Sequence, residues 1–295
     1  MFAIVGLIVL FGCLLGGYTM HGGKIAALIQ ISEFIIMGGA ALGSIIIGFG
    51  FKALGSLVKG IMGLMKPNPY NSKAFLDLLE VMYEVFLAAR KEGLVALEKH
   101  VEEPEKSEIL EKYPTFLSNH HAVDLFADTL KLVAMGGVNV YNLSDLMESD
   151  LEAHHEERME ASGILQTVSD AMPGFGIVAA VLGIVITMQA IGGPPEIIGY
   201  KVAAALVGTF LGVLLAYGVF APLSKATELR VKSEAQYMNC IKNGVLAFAR
   251  GDVPLVCVEF ARRNIEPAHR PSFKEMEEAC KQKNKGGGDA SAKAA

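Results

Sequence analysis

Small side chains recur at helical spacing in two uncharged stretches of the chain. They are Pro173, Gly176, Ala180, Gly183 and Thr187 in the first stretch, and Ala205, Thr209, Gly212 and Ala216 in the second. Small faces let helices approach closely in lipid, where packing replaces the missing hydrophobic drive. The pattern fits two helices that only pack on each other. It also fits helices that line an intersubunit seam, a cavity or a bound partner helix, where the Thr209 hydroxyl can bond to water.

No carboxylate, Lys, Arg or His lies in the middle of any uncharged stretch. Glu33 and Asp170 lie at the edges of such stretches. Proton and cation carriers normally keep an ionisable residue inside the membrane. If this chain conducts ions, we expect the carrier carboxylate to come from a partner subunit docked beside Thr209 and Ala180.

Motifs of enzymes, cofactor sites and metal sites are missing from the sequence. There is no P-loop, no dinucleotide-type glycine motif and no Gly-x-Ser-x-Gly. His154 and His155 are adjacent and lack the i, i+4 spacing of a helical metal site, so we expect them to be solvated. We expect free thiols, because no CxxC pair occurs among Cys13, Cys240, Cys257 and Cys280. The sequence thus predicts no enzyme activity, no metal, no cofactor and no nucleic-acid partner.

Four stretches without Asp, Glu, Lys or Arg predict four membrane-spanning helices. They are Met1–Gly23, Phe34–Phe51, Ala171–Pro195 and Val202–Ser224. Each is near or above the roughly 18 apolar residues of a spanning helix. We place the spans at about 2–20, 33–51, 171–193 and 201–223, as hairpins over 1–51 and 170–223. The alternative, a soluble protein with buried core helices, fits poorly with a mean hydropathy of +0.40.

Basic residues set the expected orientation. Of the 26 Lys and Arg residues, 11 lie between Lys52 and Arg158 and 13 lie between Lys225 and Lys293. By the positive-inside rule, the long middle segment and the carboxy-terminal tail face the cytoplasm. Four spans then place both termini in the cytoplasm of a multi-pass protein.

The two cytoplasmic parts, 52–169 and 224–283, are predicted to be helical. Asn71 or Ser72 can cap a helix that runs to about Lys91 and ends at Gly93. The middle segment carries 19 acidic and 11 basic residues, whereas the whole tail from 224 to 295 carries 9 acidic and 13 basic residues. Opposite net charges allow these parts to pack together. The last residues, 284–295, lack a hydrophobic pattern and are predicted to be disordered.

Several segments together resemble the flagellar stator family of MotA. The segment Gly16–Gly23, followed by Glu33 and a glycine-rich second span, looks like the amino-terminal hairpin of that family. Met172–Ala180 looks like its third span, and Val207–Gly212 with Ala216–Gly218 and Pro222 looks like its fourth. Arg270–Phe273 also matches, so the resemblance runs from the first span to about Cys280.

The resemblance implies an all-α membrane protein with four transmembrane helices and a large helical cytoplasmic domain. It implies a stator subunit in the bacterial inner (cytoplasmic) membrane that forms an ion channel with MotB and converts ion flow into torque. The expected assembly is a pentameric ring around a MotB dimer, whose membrane Asp carries the ion. The expected rotor partner is FliG.

The same resemblance implies roles for five residues of the third and fourth spans. Pro173, Ala180, Thr209, Tyr217 and Pro222 fall on the ion path and on the coupling elements of the family. The expected translocated ion is the proton, because sodium-driven relatives typically carry Thr at the position of Ala180.

Two charged residues of the middle segment also receive a role. Arg90 and Glu98 fall on the family charges that engage FliG. Ordinary surface charge is the alternative interpretation for both.

Two other functions remain open from the sequence alone. An ExbB- or TolQ-like energising subunit of an outer-membrane system shares the last two spans but lacks the first hairpin, Met1–Phe51. A self-sufficient channel would need a carboxylate of its own inside the membrane.

Overall fold

The computed structural model describes residues 2–189 and 191–291, without the side chains of Ala96 and of 283–291. Every regular element in this part is helical. The α-helices are α1 (Phe2–Met20), α2 (Ile31–Phe49), α3 (Lys52–Met65), α4 (Ser72–Glu92), α5 (Val95–Val101), α6 (Pro114–Leu117), α7 (His120–Met135), α8 (Val140–Met188), α9 (Pro195–Val213), α10 (Ala221–Ala249), α11 (Pro254–Arg262) and α12 (Phe273–Ser291). Three 3-10 segments, Ile25–Leu28, Pro104–Lys106 and Leu110–Lys112, and one π-helical segment, Leu214–Phe220, complete the set.

The chain divides into two compact units. The membrane unit consists of Met1–Pro67 and Glu156–Val231, and the helical unit of Asn68–His155 and Lys232–Ala295. Four helical stretches are long and apolar enough to cross a membrane: Phe2–Met20, Ile25–Phe49, Val140–Met188 and Pro195–Ala249. The all-α fold with four such helices is confirmed. The predicted domain limits at 51/52, 169/170 and 223/224 stay predictions.

Two helices differ in length from the sequence prediction. Helix α8 runs without interruption for 49 residues, because the charged run from Leu143 to Glu160 continues directly into the third apolar stretch. It ends at Met188, whereas the predicted span ends at 193. Helix α12 continues to Ser291, into the region predicted to be disordered, and 292–295 lie outside the described residues.

Helix α2 buries a single stripe in the membrane unit. Its buried residues, Glu33, Met37, Ala41 and Ile45, follow one another at intervals of four, which places them on one helix face. The three apolar members share a cluster with Ile164, Val168, Met172 and Ala179 of α8 and with Val207 and Leu211 of α9. This cluster is the core against which the first residue of the stripe, Glu33, is also buried.

Serine hydroxyls join helix α8 to the π-helical segment and to the start of α10 inside the membrane unit. Ser162 Oγ donates to the Ser224 carbonyl at 3.0 Å, and Ser224 Oγ donates to the Ser162 carbonyl at 2.9 Å. Two turns further, Ser169 Oγ donates to the Ala216 carbonyl at 2.9 Å. All three serines are buried, so each bond satisfies a polar group that would otherwise be costly to bury.

Helix α4 forms the centre of the helical unit. The Asn71 side chain accepts hydrogen bonds from the backbone N–H groups of Lys73 and Ala74, and Gly93 follows the helix with a φ of 89°. The predicted cap and stop of this helix are therefore confirmed. Its apolar face packs on the tail, where the Phe86 ring stacks on Phe248 with centroids 4.6 Å apart.

Charge pairing also links the two segments that build the helical unit. Lys242 on α10 forms an ion pair with Glu148 on α8. Burial lowers the pKa of Lys242, and the nearby Asp145 opposes that shift. The expected packing of the acidic middle segment on the basic tail thus occurs through at least one ion pair, in addition to the shared apolar core. Cys13, Cys240, Cys257 and Cys280 are free thiols, as predicted.

Two histidine rings stack on each other in the helical unit. The His121 and His154 rings lie 3.5 Å apart between centroids, with an interplanar angle of 13°. His154 Nε2 lies 3.4 Å from Glu234 Oε1, and His121 Nε2 is buried without a hydrogen-bond partner among the described residues. The expectation that His154 is a solvated residue is therefore wrong, because the stack covers it. His155 is exposed, as expected.

Burial lowers the pKa of His121 below its ordinary value of 6.5, and the adjacent His154 lowers the pKa further. Asp150, Glu234 and Asp124 act in the opposite direction without cancelling the effect. In the folded protein His121 therefore favours the neutral form, whereas in the unfolded chain it binds a proton at a higher pH.

Acid should consequently destabilise the helical unit. Because the unfolded state binds more protons on His121 as the pH falls through about 6.5, the free energy of unfolding must decrease there. His121→Phe keeps a ring but cannot titrate. We expect it to lose less thermal stability than the wild type when the pH falls from 8 to 5.5. These two pH values lie roughly one to two units on either side of the ordinary histidine pKa. The measurement is thermal unfolding of the purified full chain.

The control is His155→Phe, which makes the same change at the neighbouring exposed position. It should keep the acid sensitivity of the wild type. If His121→Phe and His155→Phe lose stability equally on acidification, the stacked pair is not the source of the pH dependence.

Candidate functional site

Helices α8 and α9 approach each other at glycines in the membrane unit. A Cβ placed on Gly176 would lie 2.7 Å from the Gly208 carbonyl oxygen and 3.1 Å from Gly212 Cα. A Cβ placed on Gly212 would lie 2.8 Å from the Met172 carbonyl oxygen and 2.9 Å from Gly176 Cα. These neighbours are backbone atoms, which cannot rotate away. Only glycine therefore permits this crossing, which is the small-residue packing typical of membrane helices.

A second small contact lies one to two turns away on the same helices. A Cβ on Gly183 would lie 2.8 Å from Ala205 Cβ. Thr187 is buried, and its hydroxyl donates to the Gly183 carbonyl of its own helix at 2.8 Å. Four of the predicted small residues, Gly176, Gly183, Ala205 and Gly212, are thus used to pack the two spans within one chain, as the simpler interpretation predicts.

Ala180 and Thr209 lie beside this crossing and remain partly exposed. A Cβ on Gly208 would lie 3.3 Å from the Ala180 backbone nitrogen, and Thr209 is the next residue along α9. The structure therefore brings both predicted ion-path positions to one place at the edge of the α8–α9 contact.

The Thr209 hydroxyl differs from the other threonines of the membrane unit. Thr167, Thr187 and Thr227 each donate to a carbonyl four residues earlier in their own helix, at 2.8 to 2.9 Å. No hydrogen bond of Thr209 occurs among the described residues. Its hydroxyl is accordingly available to a group outside this chain.

The predicted coupling residues occupy irregular helix geometry. Pro173 lies inside α8, where it cannot donate to the carbonyl of Ser169. Pro222 lies two residues after the end of the π-helical segment Leu214–Phe220, and this segment contains Tyr217. A π-helical turn widens the backbone before a proline that cannot make the usual helical bond. Tyr217 is 67% exposed, so its ring projects away from the core of this unit.

The sequence analysis placed Glu33 at the edge of an uncharged stretch and predicted no functional role for it. Its side chain is only 4% exposed, and its Oε2 is buried without a hydrogen-bond partner in the part of the chain that the structure describes. A Cβ on Gly208 would collide with this oxygen. The four-residue spacing from Glu33 to Met37, Ala41 and Ile45 is the signal that could have placed it on the buried face of α2.

Comparison with known proteins covers both units. The family model "Motility protein A N-terminal" matches residues 4–93, and that of the MotA/TolQ/ExbB proton channel family matches residues 118–240. Motility protein A of Salmonella typhimurium is 38% identical over 94% of each chain, and motility protein A of Escherichia coli agrees equally well. The chain belongs to the MotA family.

The fold agrees with solved members of the MotA family. The MotAB structure of C. jejuni matches with a TM-score of 0.74 at 20% identity, over 90% of this chain and 95% of that one. The stator complex of Bacillus subtilis matches with a TM-score of 0.67 at 21% identity, over 87% and 92%. These comparisons confirm the prediction that the chain is a flagellar stator subunit. They also confirm that it belongs to a channel family and is not an enzyme. The match to the MotA amino-terminal model removes the ExbB- or TolQ-like alternative.

The two charged residues with a family role lie in the helical unit. Arg90 is in the last turn of α4, and Glu98 is in the first turn of α5. Both side chains are exposed, and neither forms an ion pair with another described residue. These two residues lie on consecutive helices. They belong to a different unit from the five ion-path and coupling residues.

The glycine crossing gives a direct test of the α8–α9 contact. Gly176→Ala places a methyl group against backbone atoms of α9, so we expect a loss of about 1–3 kcal/mol in stability. The measurement is thermal unfolding of the purified full chain in detergent or lipid.

Gly174→Ala is the matched control, because a Cβ at that position meets nothing within 4 Å. It should leave the stability unchanged or raise it, since alanine is the better helix former. Equal stabilities of the two variants would show that the crossing does not depend on Gly176.

Proposed function

We propose that this chain forms a pentameric ring around the membrane helices of a MotB dimer, and that the two together conduct protons and turn the flagellar rotor through FliG. The solved relatives in the comparisons are MotAB complexes, which supports MotB as the partner. The observation that carries the proposal is the unbonded Thr209 hydroxyl beside Ala180, at the edge of a tight helix pair.

Exposed apolar surface in the membrane unit supports an assembly. Helix α1 has no buried residue within the chain. Helix α8 exposes a run of large side chains that includes Ile177, Val178, Val181, Leu182, Ile184 and Val185. Lipid can cover such a face, and so can neighbouring copies or partner helices. A ring uses part of this surface for contacts between copies and leaves the small-residue edge to line the partner.

The partner supplies the ion-carrying carboxylate in this mechanism. An ion enters from outside and neutralises the Asp of MotB beside Thr209. Protonation removes the charge of a buried carboxylate and its demand for polar partners. The preferred packing of the partner helix against Ala180 and Thr209 then changes.

Movement reaches the rotor through the two long helices. Helices α8 and α10 contribute residues to both units of the chain, and Pro173 and Pro222 lie at points where their backbone bonding is weakened. We place both termini and the helical unit in the cytoplasm, because 24 of the 26 basic residues lie in Lys52–Arg158 and in the tail. There Arg90 and Glu98 act on FliG by charge.

The rotor contact is tested by reversing both charges, with Arg90→Glu and Glu98→Lys in one chain. An exposed ion pair contributes only about 0.2–1 kcal/mol, so we expect each single reversal to slow swimming and the double reversal to remove most of the torque. Membrane insertion and co-purification with MotB should not change. Compensating reversals on FliG should restore part of the torque, since a charge pair depends on relative sign.

Lys73→Glu provides the control, because it reverses an exposed charge in the first turn of the same helix α4. It should swim like the wild type. Normal motility of the double reversal would refute the assignment of Arg90 and Glu98 to the rotor contact.

The coupling ion is tested by replacing external sodium with potassium at fixed pH. Sodium needs several oxygen ligands in place of its water, whereas a proton needs a carboxylate and a hydrogen-bonded path. Thr209 offers one hydroxyl, and Ala180 beside it offers none. We expect swimming speed to hold without sodium and to collapse with a protonophore. Loss of motility on sodium removal alone would refute proton coupling.

A further inference from the structure

A carboxyl group of this chain is buried in the membrane unit without a partner. Glu33 lies in the first turn of α2 and is 4% exposed, and its Oε2 has no hydrogen-bond partner among the described residues. No ion pair of Glu33 occurs there either. An isolated charge in this setting costs several kcal/mol, so intramembrane carboxyls are retained chiefly where they serve ion movement.

The carboxyl lies at the same place as the predicted ion path. The missing side chain of Gly208 creates the space into which Glu33 Oε2 projects. The same space is bounded by Ala179 Cβ and the Ala180 backbone nitrogen, each 3.3 Å from the position of a Gly208 Cβ. Glu33 thus reaches the α8–α9 contact from the side of α2, next to Ala180 and one residue from Thr209.

The contact with Gly208 also places Glu33 away from the charged beginning of α9. Gly208 follows Lys201, the last charged residue of α9 before the apolar stretch, by seven residues, which is about 10 Å along a helix. The carboxyl that contacts Gly208 is therefore well inside this stretch. Its position in the linear sequence, at the start of a span, concealed this depth.

The elements packed on Glu33 carry few titratable groups. Helix α9 presents Gly208, and helix α8 presents Ala179. The titratable residues of the surrounding elements are Lys24 before the 3-10 segment, Glu196, Tyr200 and Lys201 on α9, Cys13 and Tyr18 on α1, His21 just after α1, and, on α8, Asp170 with the charged residues that precede it. Asp170 precedes Ala179 by nine residues, which is about 14 Å along a helix, and no residue of this set forms an ion pair with Glu33 in the described ranges.

We propose that Glu33 is a proton-binding residue of this chain that exchanges its proton during ion flow, between outside water and the site beside Ala180 and Thr209. A proton from water binds a carboxylate oxygen of Glu33, and the same carboxyl later releases a proton towards the carboxylate of the partner subunit. The carboxyl returns to its starting state after each transfer. The proposal rests on the proposed function and adds a carboxyl from this chain to the one that MotB supplies.

The first test uses the full chain expressed with its MotB partner. Glu33→Gln keeps the shape and neutrality of a protonated carboxyl but cannot exchange a proton. We expect proton flux and swimming speed to fall by roughly threefold or more, a change in barrier within the range of a single proton-transfer group. Glu33→Asp should recover part of the loss, and the dependence of speed on external pH should weaken in Glu33→Gln.

Glu196→Gln is the matched control, because it makes the same chemical change at an exposed carboxyl on α9. It should behave as the wild type. If Glu33→Gln keeps wild-type flux and wild-type pH dependence, Glu33 is a structural neutral acid and the proposal is overturned.

The second test does not depend on activity. Infrared difference spectra of the purified complex between low and high pH should contain a carboxylic-acid carbonyl band that Glu33→Gln lacks and Glu196→Gln keeps. A band of Glu33 that persists unchanged at high pH, or no such band at all, would overturn proton exchange at this residue even if the variant assembles poorly. A wild-type complex without proton flux would refute the proposed function instead, and the infrared spectra would still decide the role of Glu33.

Discussion

The membrane unit depends on the contact between the backbones of α8 and α9 at Gly176, Gly208 and Gly212. Lipid tails are as apolar as leucine side chains, so no hydrophobic drive holds two spans together in a bilayer. Close packing must supply that energy, and the backbone atoms here are too near for any side chain. The same crossing creates the space at Gly208. Ala180, Thr209 and Glu33 are neighbours because the two helices meet there without side chains between them.

Backbone irregularity lies next to this contact, at Pro173 on α8 and in the π-helical segment that follows α9. The Ser169 hydroxyl donates to Ala216, a residue of the π-helical segment, while Pro173 leaves the carbonyl of the same Ser169 without its helical donor. Pro222 follows the π-helical segment and imposes a similar loss on the fourth span. The hydroxyl groups of Ser162, Ser169 and Ser224 donate across to the neighbouring helix in this region. Side-chain hydrogen bonds therefore join the two helices in the region where the prolines remove backbone bonds.

The sequence predicted what depends on local pattern. Uncharged stretches located the four spans, and the cap at Asn71 with the stop at Gly93 located α4. The small-residue faces were also visible, but whether they pack within a chain or between chains depends on the crossing geometry, which no periodicity contains. The charged run and the third apolar stretch form one continuous helix, α8, because helical bonding continues through both. The stack of His121 on His154 joins residues 33 positions apart, so no local pattern reveals it.

Glu33 shows most clearly why position in the sequence and position in the structure differ. At the start of a span, a carboxylate is expected to reach water. That expectation led to the prediction that no carboxylate of this chain lies inside the membrane. The spacing of Glu33 with Met37, Ala41 and Ile45 instead turns it to the buried face of α2, and the glycine at 208 gives it room to enter. Two polar groups near the crossing, the Thr209 hydroxyl and the Glu33 carboxyl oxygen, then lack partners within the described chain. Because unpaired polar groups in apolar surroundings are costly, their retention at one place favours a site that is completed by water, by an ion or by a helix of another subunit.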